Sequence, residues 1–155
     1  MANTFNPSRM DIASGSPPRA APVIVIADDE PAIRLVIARK LQQVGWTVVP
    51  VANGEDAVRE ATAHQPQLVI TDLQMPRMDG LCMARQLFSN PATGHIPLIL
   101  LSARGHRIST HDLTNTNVQH VMLKPFSMRQ ILAIAQDYWD FTTGDGAASP
   151  NAQAA

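Results

Sequence analysis

Cysteine is nearly missing from this chain of 155 residues. Cys82 stands alone, so no internal disulfide can form, which fits a reducing cytoplasm. No apolar run approaches the roughly 18 residues of a membrane helix, and the N-terminus has no apolar signal-peptide core. These absences argue for a cytoplasmic protein with no membrane partner. An excess of basic charge is also lacking. The formal net charge is −1, so no basic face argues for nucleic acid. There is no internal repeat. Lysine is scarce: Lys40 and Lys124 are the only two, against ten arginines, so a lysine at a special place stands out.

What is present suits a single globular domain. The apolar fraction of 45% can form a core without metal or disulfide staples. Residues 1–21 are rich in Asn, Ser, Pro, Gly and Ala and read as a disordered arm; residues 142–155 read as a disordered tail. Between them, residues 22–141 alternate strands and helices. Val23–Ala27 is a buried-strand run ending in Asp28-Asp29-Glu30, and Pro31 suits the first turn of a helix. Ile33, Val36, Ile37, Leu41 and Val44 recur at helical spacing, and Gly45 stops that helix. Thr47–Val51 is β-branched, with Pro50 placing it near a sheet edge. Asn53-Gly54 reads as a turn, and a short helix around Ala57, Val58 and Ala61 ends before Pro66.

Residues 68–71 form a strand buried on both faces, with Asp72 at its end. Met75-Pro76 and Asp79-Gly80 are turn signals, and Asp79 is placed to cap a helix over residues 81–88. A fourth strand over residues 98–101 ends at Ser102. Residues 103–120 are polar and weakly patterned. A short strand at residues 121–123 leads into Lys124-Pro125, and a last helix carries Ile131, Leu132, Ala135 and Tyr138 on one face. Five strand–helix units predict an α/β fold around a parallel sheet. In such a sheet all strand C-termini share one edge, where ligands bind. Asp28-Asp29, Asp72, Ser102 and Lys124 each end a different strand, so they converge there.

Three gathered carboxylates repel one another unless a cation joins them. Oxygen ligation suits Mg²⁺ or Mn²⁺. A metal, an ammonium and a hydroxyl together neutralise a phosphoryl group, and Asp72 can be the nucleophile. Singly, Lys124 reads equally as a solvated surface residue and Ser102 as a helix cap.

The chain resembles the receiver domain of two-component response regulators. Asp28-Asp29, Asp72 with Met75-Pro76 and Met78-Asp79-Gly80, Ser102-Ala103, and Lys124-Pro125-Phe126 carry the likeness across residues 22–140. The resemblance implies a flavodoxin-like (βα)5 doubly wound fold with five parallel strands and a cis Lys124-Pro125 peptide. It implies that Asp72 is the phosphoacceptor, with Ser102 and Lys124 contacting the phosphoryl group. It assigns Asp29 and Asp72 as direct Mg²⁺ ligands, Asp28 as a ligand mostly through water, and Gln74 as a ligand through its backbone carbonyl. It implies a histidine kinase or histidine phosphotransfer protein as donor, and a downstream protein target. The role is that of a signalling protein and not an enzyme, with only self-phosphorylation and self-dephosphorylation. A phosphorelay intermediate and a phosphate sink are alternative roles. Nothing after Phe141 can build a core, so a stand-alone receiver or a fragment of a longer chain is expected.

Two departures stand out. Val121 occupies the place where the family usually has a switching Tyr or Phe, and residues 105–117 lack the usual alanines and Gly-Ala turn. That segment is a poor helix former and is expected to sample loop and helix, ordering on phosphorylation. Gln74 and Arg104 stand two residues after Asp72 and Ser102, where bulk should slow hydrolysis. The five histidines read as surface residues, with His120 the one to watch beside Val121, and the methionines read as packing. One rival is a haloacid-dehalogenase-like phosphohydrolase, which needs an acid where Gln74 stands. A flavodoxin would need a glycine- and hydroxyl-rich loop where Asp28-Asp29-Glu30 stands. A receiver that only binds a partner is the third.

Overall fold

In a computed structural model, residues 20–103 and 107–143 are described. Most of the expected arm, Arg104, His106 and the tail beyond Thr143 lie outside these residues. The elements are β1 (Val23–Ala27), α1 (Pro31–Gln43), β2 (Thr47–Val51), α2 (Gly54–His64), β3 (Leu68–Asp72), α3 (Gly80–Ser89), β4 (Leu98–Ser102), β5 (Val118–Leu123) and α4 (Met128–Thr143). All five strands are parallel in the order β2-β1-β3-β4-β5. This is the expected flavodoxin-like sheet.

Strand alternation divides the core into two layers. Ile24, Ile26, Leu68, Ile70, Ile99 and Leu101 face α1 and α4. Val25, Ala27, Val69 and Leu98 face α2 and α3. Successive side chains on a strand point to opposite faces, so a strand covered on both faces must be apolar throughout. β3 and β4 are buried at every position. Each large aliphatic side chain so buried contributes roughly 1.5–3 kcal/mol. β2 lies at the edge, as Pro50 implied.

Local chemistry sets most boundaries. Pro31 opens α1 and Asp79 caps α3, its carboxylate accepting from the Cys82 amide at 2.7 Å. Asn53-Gly54 is not a free turn: the Asn53 side chain accepts from the Asp56 amide and starts α2 at Gly54. On α1 the buried side is Ile37, Ala38 and Leu41, whereas Val36 and Val44 are exposed despite their spacing. β5 starts earlier than expected, at Val118, with a register shift opposite Leu98/Ile99. α4 continues to Thr143, past the boundary drawn at residue 141.

Four helices, not five, accompany the strands among the described residues. Residues 107–117, between β4 and β5, form turns closed by Asp112→Ser109, Thr114→His111 and Thr116→Leu113 backbone bonds. The Asp112 carboxylate also accepts from the Ser109 amide and hydroxyl, both at 2.8 Å. Ser, Thr, Asn and Asp side chains compete for backbone groups and favour such turns over helix.

Candidate functional site

The parallel sheet delivers the strand-end residues to one edge. Asp28 follows β1, Asp72 ends β3, Ser102 ends β4 and Lys124 follows β5. One carboxylate oxygen each from Asp28, Asp29 and Asp72 lies within 4.8 Å of the others. Lys124 Nζ stands 3.3 Å from Asp72 Oδ1 and 3.5 Å from Asp28 Oδ2. Asp28 is fully buried and Asp72 nearly so, while Asp29 is exposed. Asp28 Oδ1 accepts from the Glu30 amide at 2.9 Å, but its buried Oδ2 receives no hydrogen bond. Three carboxylates thus face one ammonium.

Burial raises the Asp72 carboxyl above its ordinary value; Lys124 pulls it down, and Asp28 and Asp29 push it up. An acid that stays charged here needs more positive charge than Lys124 supplies. The donor set is all oxygen and partly open to water, which suits a hard dication.

Gln74 sits in the cleft beside Asp29, Met75, Pro76 and Asp79. The chain can turn so tightly after β3 because residue 80 is glycine. A Cβ there would lie 2.4 Å from the Asp72 carbonyl oxygen, so no other residue fits without moving the backbone. The Gly80 amide in turn donates to the Leu73 carbonyl. Ser102 is buried, and its hydroxyl donates to the Ala103 carbonyl at 3.4 Å and not to Asp72. The Lys124 amide donates to the Ser102 carbonyl, tying the ends of β4 and β5 together. The Lys124-Pro125 peptide is cis, as the resemblance implied.

Val121 is 39% exposed, and its aliphatic side chain has no polar atom to offer the site. His120 is only partly on the surface. It is half-buried beneath α4 with its ring edge-on to Tyr138 at 6.3 Å, and burial lowers its pKa. Met83 and Met122 are core residues, as expected of packing methionines. Sequence reasoning missed Arg34. Its guanidinium reaches back from the first turns of α1 to the Asp28 carbonyl at 2.5 Å. The signal was an arginine one and a half turns after an Asp-Asp pair.

Known proteins carry the same fold. The profile of the response regulator receiver domain matches residues 24–136. The transcriptional regulatory protein PdtaR of Mycobacterium tuberculosis is 33% identical over 110 residues, covering 70% of this chain and 52% of PdtaR. The chain therefore spans about half the length of that relative. A probable chemotaxis protein CheY of Rhizobium etli is 31% identical over 111 residues, 71% of this chain and 86% of that protein. The chemotaxis response regulator CheY4 of Vibrio cholerae superposes with a TM-score of 0.69 at 21% identity, over 77% of this chain and 99% of its own. The receiver domain of sensor histidine kinase PA1611 from Pseudomonas aeruginosa, solved with a magnesium ion in its active-site cleft, superposes with a TM-score of 0.69 at 25% identity, over 77% and 98%. Sheet order and the profile match agree on one conclusion: this chain belongs to the response regulator receiver domain family of two-component signalling.

Proposed function

We propose that Asp72 is the phosphoacceptor of this receiver. The observation that carries the reading is the cluster of Asp28, Asp29 and Asp72 oxygens within 4.8 Å, with Lys124 Nζ 3.3 Å from Asp72. An Asp72 carboxylate oxygen bonds phosphorus as the phosphorus–nitrogen bond of a phosphohistidine breaks. The imidazole leaves with that electron pair. The donor is a histidine kinase or a histidine phosphotransfer protein. Lys124 holds a point charge beside the incoming oxygens, and Ser102 donates to another once its hydroxyl leaves the Ala103 carbonyl.

Asp28, Asp29, Asp72 and the Gln74 backbone carbonyl would hold Mg²⁺, or Mn²⁺ in its place. The buried Asp28 Oδ2, which receives no hydrogen bond and has only the Lys124 charge beside it, supports this fit. When bound, the ion neutralises charge on the transferring group. The chain acts as a signalling module and not as a turnover enzyme, and presents a different surface to a downstream protein once phosphorylated. No helix among the described residues is long and apolar enough to cross a membrane, and we place the protein in the cytoplasm.

Incubation with acetyl phosphate and Mg²⁺ tests the reading by intact-protein mass. The wild type should gain one phosphoryl group and Asp72→Asn none. Equal labelling of the Asn variant would overturn the assignment.

A further inference from the structure

We infer that Arg34 is a positioning residue for the acidic cluster, holding the Asp28–Asp29 peptide plane through its bond to the Asp28 carbonyl. The inference rests on the Mg²⁺ reading above. The corner between β1 and α1 has few ties. The Asp28 amide donates to the Val51 carbonyl at 3.1 Å, which fixes the chain as it leaves β1. The Glu30 amide donates to Asp28 Oδ1. Glu30, the residue at the cap of α1, makes no side-chain cap bond. The Asp28 carbonyl is held by Arg34 Nη1 at 2.5 Å.

That carbonyl matters because of what shares its plane. A peptide unit is rigid, so the Asp28 C=O and the Asp29 N–H turn together. Asp29 is the one exposed member of the cluster. Among the described residues its carboxylate has no ion pair and accepts no hydrogen bond, so its position follows from its backbone. Holding the Asp28 carbonyl therefore aims Asp29. The bond is charge-assisted and the side chain half-buried, so it is stronger than a neutral surface contact.

Charge alone makes the opposite prediction. A guanidinium near three carboxylates competes with any dication, so deleting it would tighten metal binding. Positioning says that deletion weakens it. The sign of one substitution therefore separates the two. Arg34→Ala removes both charge and donor, and alanine favours helix, so α1 is not at risk. Arg34→Lys keeps one donor of similar reach. The observed bond uses a single nitrogen, so lysine should suffice where a bidentate fork would not.

Two measurements decide the matter. By calorimetry on the full chain, Arg34→Ala should weaken Mg²⁺ binding about tenfold, the scale of one lost charged hydrogen bond. Arg34→Lys should stay within about threefold of wild type on the same scale. In metal-free protein, Arg34→Ala should speed amide exchange at Asp29 and Glu30 and leave β1 unchanged, with lysine restoring protection. Equal or tighter Mg²⁺ binding by the Ala variant, or unchanged exchange at Asp29 and Glu30, overturns the inference. If the wild type itself binds no Mg²⁺, the metal reading falls, and the exchange measurement alone decides the role of Arg34.

Discussion

Asp72→Asn should make the metal-free protein more stable. The substitution keeps the shape of the side chain and removes one negative charge from a crowded site. At an effective dielectric constant of about 20, two charges 4.8 Å apart repel by roughly 3.5 kcal/mol. Asp72 faces two such neighbours, Asp28 and Asp29, at that distance or less. Its attraction to Lys124 at 3.3 Å is about 5 kcal/mol on the same scale. Lys124 largely offsets both acids, so the balance falls to the desolvation of the buried carboxylate, the largest influence on Asp72, and burying such a polar group costs about 2 kcal/mol. A gain of that size raises the melting temperature by roughly 6–12 °C in a domain of this length. The pH dependence has a definite sign. The Asp72 pKa is raised by burial and by its acidic neighbours, so the ionised form costs stability at neutral pH, and that cost is relieved as pH falls through the raised value. The advantage of the Asn variant should shrink over the same window. Thermal unfolding in EDTA across pH measures both effects. Saturating Mg²⁺ should narrow the gap, because the wild type gains more from the ion by mass action. An Asn variant less stable than wild type in EDTA would refute the electrostatic account of the site.

Three further outcomes follow from the geometry. Lys124→Met removes the ammonium beside buried Asp28 and Asp72 and should cost about 2–3 kcal/mol in urea unfolding without metal, somewhat below the usual loss for a fully buried pair; no loss would contradict the pairing. Gly80→Ala places a Cβ 2.4 Å from the Asp72 carbonyl and should cost about 1–3 kcal/mol while slowing acetyl-phosphate labelling, whereas normal stability and rate would show that the loop yields freely. Amide exchange in residues 107–117 should be faster than in β4, and faster still in Asp112→Ala, which loses both Ser109 bonds. The Ser109 backbone bond, then its hydroxyl, holds the Asp112 carboxyl below the usual carboxylate range, so this tie persists at neutral pH and loosens only as pH falls through that lowered value; protection equal to that of β4, unchanged in the variant, would count against it.

Most of the sheet was legible because burial on both faces demands continuous apolar residues, as in residues 68–70 and 98–101, with the polar residues kept to the strand ends. β5 was harder to read. Only one of its six residues is buried, and Gln119 and His120 interrupt the apolar signal just where the register shifts. Asn53-Gly54 carries the same letters as a hairpin turn, and only the Asp56 amide within reach makes it a cap. The exposed Val36 shows that helical spacing finds a face without saying how wide the buried stripe is. The acidic cluster was legible from topology alone, since strand ends in a parallel sheet must meet. Arg34 was harder to read, because its spacing after Asp28-Asp29 places it near the site but does not say that it bonds a backbone carbonyl. The turns of residues 107–117 agree with the weak helical pattern there.

The central claim is that Asp72, and no other residue, takes the phosphoryl group. Borohydride reduces an aspartyl phosphate to homoserine and so marks the modified position permanently. Wild-type protein treated with acetyl phosphate and Mg²⁺, reduced and digested, should show homoserine at position 72 alone, and the mark should vanish when EDTA replaces Mg²⁺. Homoserine at position 28 or 29 in place of 72, or equal marking in EDTA, would contradict the account.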